Sequence, residues 1–160
     1  MDNTLTRAEI HKKFLKMPSH RKLDVGDYMT DIILNDGMGT VRMYELIKND
    51  HMIAAFFSTD CDSCQPAMEA LDRFYDQNSN LNIVGFVNTS EEILDMLKEY
   101  YSNKFRIFLL SKTRMNEELS IYQFPKGYTL NKLGQVLVVE TCSDEYWYNK
   151  LKEPLKKLNI

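Results

Sequence analysis

The sequence lacks the features that mark several classes of protein. Its 160 residues include three cysteines, too few for a small disulfide-stapled domain, and a chain of this length buries a core without staples. Its longest apolar run, residues 52–57, is far shorter than the roughly 20 residues of a membrane-spanning helix. Repeats, low-complexity tracts and linkers are also missing. We therefore expect one domain, residues 23–160, preceded by an N-terminal extension, residues 1–22.

An excess of charge of one sign is also missing. The chain has 20 basic and 23 acidic residues, a net charge of −3, and none of its segments is strongly basic. This balance excludes nucleic acid as an expected partner and argues against nonspecific binding to anionic membranes. Residues 1–7 contain no apolar core of a secretory signal, so the sequence leaves a cytosolic protein and a processed one as alternatives.

The spacing of metal-binding residue types does not favour a metal site. A structural zinc site needs four ligands, and outside Cys61 and Cys64 there is no second Cys-x-x-Cys and no His-x-x-x-His pair. The remaining candidates are Cys142, His11, His20 and His51. The nine methionines lack the close spacing of a copper site. We expect no metal, and we expect Cys142, at the end of a predicted strand, to be a buried unpaired thiol.

What the sequence does contain is a cysteine pair where a predicted strand meets a predicted helix. The apolar run at residues 52–57 predicts a buried strand, and a helical pattern extends from Cys61 to Asn78. Cysteines three positions apart lie on one face of a helix, close enough to bridge after a small adjustment. The free N–H groups and dipole of the first turn favour thiolate. The pattern predicts a dithiol redox site with no cofactor beyond the Cys61–Cys64 disulfide.

The residues around the pair suggest a division of roles. Cys61, nearer the helix start and more exposed, is the expected attacking thiol, and Cys64, one turn deeper, the resolving thiol. Asp62 and Asp60 oppose thiolate formation, whereas the Ser63 hydroxyl can donate a hydrogen bond to Cys61. A destabilised thiolate lowers the redox potential, which favours a reductant or mild isomerase. A fully solvated Asp62 with little effect is the open alternative.

The rest of the chain alternates between strand and helix patterns. Further strands are predicted at Ile32–Leu34, Val41–Met43, Leu81–Asn88, Phe105–Leu110, Tyr128–Leu130 and Val136–Glu140. Further helices are predicted after a cap at Thr89 or Ser90, at Asn116–Tyr122, and from Ser143 or Asp144 to Leu158, with Trp147 in the core. The alternation predicts an α/β fold whose central mixed sheet has parallel strands, a C-terminal antiparallel hairpin and helices on both faces.

Three motifs along the chain are similar to those of one protein family. Residues 57–68, FSTDCDSCQPAM, are similar to its Cys-x-x-Cys signature, and Val25-Gly26-Asp27 with Asp36-Gly37 to its opening segment. Phe124-Pro125, nine residues before Gly134, has the spacing of its cis-proline to its hairpin glycine. In this order the motifs resemble the thioredoxin superfamily, and within it the TlpA/ResA-type extracytoplasmic thiol–disulfide oxidoreductases.

The resemblance implies a thioredoxin-like fold in which Pro125 is cis and faces the dithiol. The backbone of Phe124 would then be open to an extended substrate segment, and Phe124 and Phe57 would form apolar walls. Core packing is the other expected role of Phe57. The implied partners are a cysteine-containing protein substrate and a membrane-bound or soluble thiol reductant. The implied setting is the bacterial periplasm or cell envelope, and we expect a monomer.

The sequence departs from the family at its proton-transfer residues. Asp60 replaces the tryptophan before the first cysteine, and alanines, Ala55 and Ala67, stand at the two known positions of an acid. Asp60, Asp62 or Glu69 would have to take over the function of that acid. These departures keep open a second function, a thioredoxin-fold binding or chaperone module with little catalysis.

A peroxiredoxin-like peroxidase is a further alternative. Ser58, three residues before Cys61, satisfies one requirement of that site, but Ala54 stands where the site needs proline. The arginine that such a site also needs would be Arg106 or Arg114.

Overall fold

The structure, a computed structural model, describes residues 21–158. Its strands are β1 (Ile33–Asn35), β2 (Thr40–Arg42), β3 (His51–Ser58), β4 (Ile83–Asn88), β5 (Arg106–Leu109), β6 (Lys126–Asn131) and β7 (Val136–Glu140). Its helices are α1 (Cys64–Gln77), α2 (Glu91–Tyr100), α3 (Lys112–Leu119) and α4 (Glu145–Lys152), with 3-10 segments at Met43–Leu46 and Glu153–Leu158. The predicted extension, residues 1–22, lies outside the described residues except for its last two.

Strands β3 to β7 form one mixed sheet, as the sequence predicts. Its strand order is β5-β4-β3-β6-β7, with β3, β4 and β5 parallel and β6 and β7 antiparallel. A separate antiparallel pair, β1 and β2, covers part of it. None of the helices within residues 21–158 is long and apolar enough to cross a membrane.

Strand β3 lies at the centre of this sheet, and all eight of its residues are buried. Because side chains alternate along a strand, β3 contributes to two cores. Ile53, Ala55 and Phe57 pack with apolar residues of α1 and α4, whereas Met52, Ala54 and Phe56 pack with β1, the first 3-10 segment and α3. The end of β3, where the dithiol follows, is therefore fixed from both faces.

The structure corrects several predicted helix boundaries. Helix α1 begins at Cys64 rather than Cys61, because the segment before it forms a turn in which the Cys64 N–H donates to the Cys61 carbonyl over 3.1 Å. Helix α3 spans Lys112–Leu119 rather than residues 116–122. The Ser111 side chain accepts the Arg114 N–H and starts this helix early, and Ser120, with φ of 59°, ends it.

The last helix also differs from its prediction. Helix α4 stops at Lys152, and a 3-10 segment continues to Leu158. Trp147 is only half-buried, and the neighbouring Tyr148 takes the core position. The Tyr148 hydroxyl donates to the Ala67 carbonyl over 2.9 Å, which joins α4 to α1 directly behind the dithiol. A buried tyrosine needs such a partner for its hydroxyl.

Candidate active site

The dithiol stands at the carboxyl end of β3, where two tight turns lead into α1. The Cys61 N–H donates to the Ser58 carbonyl over 3.2 Å, and the turn from Cys61 to Cys64 follows at once. Cys61 is partly exposed in the loop, whereas Cys64, the first residue of α1, is only 3% exposed. The two cysteines are close together but lie in different environments.

Several polar groups surround the Cys61 sulfur. The Ser63 hydroxyl lies 3.4 Å from it, and the Phe124 carbonyl accepts a hydrogen bond from the thiol over 3.5 Å. Partial burial raises the pKa of Cys61, but hydrogen bonds from the Cys64 thiol, the Ser63 hydroxyl and two backbone N–H groups outweigh it. The pKa of Cys61 is therefore below its ordinary value.

The Cys64 sulfur has the opposite character. Burial, the hydrogen bond of its thiol to Cys61, the charge of Cys61 and, least of these, the charge of Asp60 raise the pKa of Cys64 to about 12. The Ser58 N–H, which donates to the Cys64 sulfur over 3.4 Å, acts in the opposite direction. Cys64 therefore keeps its proton near neutral pH, and Cys61 is the thiol of the pair that ionises first.

The loop before β6 brings Phe124 and Pro125 to the dithiol. The Phe124–Pro125 peptide bond is cis, Pro125 is buried, and the half-buried Phe124 ring packs against both cores. The hydrogen bond between the Phe124 carbonyl and Cys61 connects positions 63 residues apart. These two sequence-predicted substrate-binding residues therefore lie beside the predicted attacking thiol.

A groove of about 660 Å³ opens on the other side of the dithiol, between α1 and the end of α2. Its lining is Phe57, Ser58, Thr59, Cys61, Asp62, Cys64, Gln65, Met68, Glu69, Val87, Leu97, Tyr100 and Tyr101. Phe57 is 1% exposed and belongs to the core, as one of its two expected roles requires, while its role as a wall for substrate stays a prediction. Tyr100, which sequence reasoning did not place at the site, is 73% exposed at the edge of the groove.

Four residues beside the dithiol form a closed ring of hydrogen bonds, three between side chains and one from a backbone N–H, and we call it the polar ring. The Ser58 hydroxyl donates to the Asp60 carboxylate over 2.6 Å, and the Lys112 ammonium donates to the same carboxylate over 2.8 Å. The Asn88 amide donates to the Ser58 hydroxyl over 2.9 Å and accepts the Lys112 backbone N–H over 3.1 Å. Hydrogen bonds from Lys112 and Ser58 lower the pKa of Asp60.

Sequence reasoning named Asp60 but missed Asn88 and Lys112. Ser58 and Asn88 are register partners at the carboxyl ends of parallel strands β3 and β4. The signal available in the sequence was that each is a polar residue at the end of a predicted apolar strand. Asp62 and Glu69 are exposed and line the groove. Ala55 and Ala67 are both buried in the core beneath the dithiol.

The third cysteine is separate from the site. Cys142 is fully buried, its thiol donates to the Glu140 carbonyl over 3.7 Å, and burial raises its pKa well above the ordinary value. It is the buried unpaired thiol that the sequence predicts. No group of three or more histidine, cysteine or acidic side chains within residues 21–158 is arranged to hold a metal ion.

The amino-acid sequence matches no protein-family model and no curated protein, but the fold is similar to solved structures. The thioredoxin domain of a thiol–disulfide oxidoreductase from Bacteroides vulgatus is 20% identical, with a TM-score of 0.64 over 82% of this chain and 98% of that one. A thiol peroxidase from Chromobacterium violaceum is 16% identical, with a TM-score of 0.61 over 83% and 86%. An exposed lipoprotein thioredoxin from Streptococcus pneumoniae is 15% identical, with a TM-score of 0.57 over 78% and 99%.

At these identities the similarity concerns the fold. The order of helices and strands, the mixed central sheet and its closing hairpin agree with the predicted architecture. The chain therefore has the thioredoxin-like fold, which confirms the predicted resemblance to the thioredoxin superfamily at the level of the fold.

Proposed function

We propose that this protein is a thiol–disulfide oxidoreductase that exchanges disulfides with cysteines of other proteins. The observation that carries the proposal is the difference between its two neighbouring thiols. Cys61 is partly exposed and its pKa is lowered, whereas Cys64 is 3% exposed and its pKa is raised to about 12. Such a pair combines an accessible nucleophile with a protected second thiol that acts after it.

The proposed reaction reduces a substrate disulfide in two steps. The Cys61 thiolate attacks one substrate sulfur, which breaks the substrate disulfide, forms a mixed disulfide and releases the other sulfur as a thiolate. Cys64 then loses its proton and attacks the Cys61 sulfur, which forms the Cys61–Cys64 disulfide and releases the second substrate thiolate. Two electrons pass to the substrate, and an external thiol reductant, membrane-bound or soluble, restores the dithiol.

The surroundings of Cys61 support a polypeptide substrate. On one side the groove offers the apolar side chains of Phe57, Met68 and Leu97. On the other side, the Phe124 carbonyl next to Pro125 would accept an N–H of an extended segment once Cys61 no longer occupies it. A cysteine of the substrate would then lie between the groove and this loop.

The charges near the dithiol support a reducing role. Asp60 is a carboxylate at neutral pH because its pKa is lowered, and Asp62 stands between the two cysteines. Negative charge near a thiolate destabilises the reduced form and lowers the potential, whereas the lowered pKa of Cys61 acts in the opposite direction. We therefore propose a reductant or mild isomerase.

We also propose that the protein acts as a monomer. The fold similarity to the pneumococcal lipoprotein thioredoxin favours a bacterial extracytoplasmic setting.

The experiment that tests the proposal is a redox titration of the Cys61–Cys64 couple, with trapped thiols counted by mass. We expect one two-electron transition between about −220 and −330 mV, close to thioredoxin at about −270 mV. Cys64→Ser should accumulate a mixed disulfide at Cys61, and Cys61→Ser should form none. If the pair never bridges in oxidising buffer, the binding module replaces the enzyme, and partner binding should then survive replacement of both cysteines by serine.

The arrangement of the arginines does not support the peroxidase alternative. Arg106 donates to the Leu46 carbonyl over 3.4 Å, and Arg114 bonds to Glu118 and to the Ile33 carbonyl. Neither arginine is among the residues that line the groove. We expect the reduced protein to consume peroxide no faster than a free thiol does, and a rapid turnover of peroxide would contradict this expectation.

A further inference from the structure

We infer that the Asp60–Lys112 ion pair, anchored by Ser58 and Asn88, is a positioning element that controls how fast Cys64 resolves a mixed disulfide. This inference rests on the proposed function, and it extends the expectation that Asp60 takes over the function of the family's acid by adding Lys112, Ser58 and Asn88. It concerns the second chemical step, in which Cys64 acts, rather than the first.

The geometry connects the polar ring to Cys64 through one buried residue. Ser58 is 1% exposed, its backbone N–H donates to the Cys64 sulfur over 3.4 Å, and its hydroxyl donates to Asp60 over 2.6 Å. The Asn88 amide fixes that hydroxyl from the neighbouring strand. The Asp60 side chain is 60% exposed, but hydrogen bonds from Ser58 and Lys112 hold its carboxylate in place.

The positions where related proteins carry an acid cannot serve this purpose here. Ala55 and Ala67 are both buried, and both pack in the same apolar core as Cys64. Burial and the contact with Cys61 raise the pKa of Cys64 most, and Asp60 at the rim of the site adds a smaller effect in the same direction. The polar ring supplies a fixed negative charge together with a cation that partly cancels it.

The other titratable or charged groups that face Cys64 are Cys61, Asp62, Glu69, Tyr101 and Tyr148. Burial raises the pKa of Tyr101 to about 12 and that of Tyr148 well above its ordinary value, so both stay neutral. Asp62 and Glu69 are exposed on the groove side. Unlike Asp62 and Glu69, the Asp60 carboxylate bonds to a cation, Lys112, and is connected to Cys64 through Ser58.

The chemistry gives the two partners of the ion pair opposite effects. Resolution requires the Cys64 thiolate, which a nearby carboxylate destabilises and a nearby ammonium stabilises. Lowering the pKa of a thiol increases its thiolate fraction but makes that thiolate a weaker nucleophile, with a Brønsted coefficient of about 0.4–0.5. The loss of nucleophilicity therefore cancels only part of the rate gained from the larger thiolate fraction. Removing the charge of Asp60 should therefore speed resolution, and removing the charge of Lys112 should slow it.

The test uses 5,5′-dithiobis(2-nitrobenzoate) with the reduced protein in a Cys142→Ala background. Attack by Cys61 releases one coloured thiolate in a phase that depends on reagent concentration, and attack by Cys64 releases a second in a concentration-independent phase. We expect the second phase to be roughly two- to fivefold faster in Asp60→Asn and slower by a similar factor in Lys112→Met, as for an exposed ion pair.

Two further variants and a change of salt separate electrostatics from damage to the fold. The double variant Asp60→Asn/Lys112→Met should resolve at nearly the wild-type rate. Asp76→Asn removes a carboxylate that pairs with Lys104 rather than Lys112 and should leave the second phase unchanged. Because salt screens exposed charges, the effects of both single variants should shrink at about 1 M salt.

The possible failures are distinguishable. If Asp60→Asn and Lys112→Met change the second phase in the same direction, or do not change it, the inference is wrong while the proposed function stands. If the wild-type protein releases only one equivalent of coloured thiolate, the dithiol does not bridge and the proposed function itself fails. Thermal unfolding of each variant verifies that the comparison is made between folded proteins.

Discussion

The Cys61 sulfur and the Phe124 carbonyl oxygen lie 3.5 Å apart, although 63 positions separate these residues in the sequence. A thiol can donate to that oxygen and a thiolate cannot, so this contact stabilises the protonated form of Cys61. The hydrogen bonds from Ser63 and Cys64 act in the opposite direction and prevail. Cys61 loses its proton before it attacks a substrate disulfide, and this loss frees the Phe124 oxygen for the substrate backbone.

The first prediction concerns the order in which the thiols react. Iodoacetamide added to the native reduced protein should alkylate Cys61 well before Cys64 or Cys142, because only Cys61 combines exposure with a lowered pKa. Peptide mass mapping after short exposures measures the order. The pH dependence of the Cys61 rate should have its midpoint below the ~8.5 of free cysteine. Similar rates for Cys61 and Cys64 would contradict the assignment of roles.

The second prediction concerns the groove. Tyr100 is 73% exposed at its edge, and truncation to alanine removes an aromatic contact for a protein substrate. Reduction of a disulfide-bonded protein such as insulin should weaken by about three- to tenfold in kcat/KM, the effect of about one aromatic contact. Reduction of a small disulfide should not change.

Tyr146→Ala provides the control for this prediction. Tyr146 is also an exposed aromatic residue, 57% exposed, but it lies on α4 and does not line the groove. Its removal should leave both substrates unaffected. If Tyr100→Ala and Tyr146→Ala behave alike, the groove does not bind the substrate.

The dithiol and the order of secondary structure were predictable because their signals are local. The apolar run of β3 leads directly into Cys61-Asp62-Ser63-Cys64, and turn residues separate the remaining strands and helices. Boundaries were less accurate where one polar side chain decides them. Ser111 caps α3 ahead of its apolar pattern, and a turn before Ser63 delays α1 until Cys64.

The surroundings of the dithiol were not predictable because they depend on register and topology. Asn88 contacts Ser58 only because β4 lies parallel to β3 in one particular register. Lys112 belongs to helix α3, which is distant in sequence from the dithiol, and its backbone N–H donates to Asn88. Similarly, nothing local distinguishes Tyr148 from Trp147. Helix α4 turns Tyr148 toward the Ala67 carbonyl, and this orientation is a property of packing.

The third prediction concerns a close approach in the sheet. A Cβ atom added at Gly127 in β6 would lie 2.4 Å from the Cys142 sulfur and 2.6 Å from a Leu151 methyl carbon. Both neighbours are fully buried and have little room to move. Gly127→Ala should therefore lower the free energy of unfolding by about 1–3 kcal/mol, as overpacking of a core does. Urea unfolding measures this change.

Two further variants test the cause. A Cβ atom added at Gly85 would lie 3.7 Å from the Ile107 side chain, an ordinary contact, so Gly85→Ala should have a much smaller effect. Adding Cys142→Ala to Gly127→Ala removes one of the two clashing atoms and should restore part of the stability. Equal losses for Gly127→Ala and Gly85→Ala would mean that the clash is not the reason.

The last prediction concerns stability at alkaline pH and follows from Cys142. Burial raises the pKa of Cys142 above that of a cysteine in the unfolded chain, about 8.5. Below that pH both states hold the proton, so the group does not change the stability with pH. Above it the unfolded chain loses the proton and the folded protein keeps it, so the free energy of unfolding falls as pH rises, by at most about 1.4 kcal/mol per pH unit for this thiol.

Urea unfolding of the reduced protein between about pH 7 and about pH 10 measures this slope. Cys142→Ala should flatten it, because the variant has no thiol there to ionise on unfolding. Oxidising the Cys61–Cys64 pair should flatten it further above about pH 8.5, since the raised pKa of Cys64 acts in the same direction there. If wild type and Cys142→Ala lose stability in parallel, the thiol is not shielded from water, and the tight packing of Cys142 against Gly127 would have to be abandoned as well.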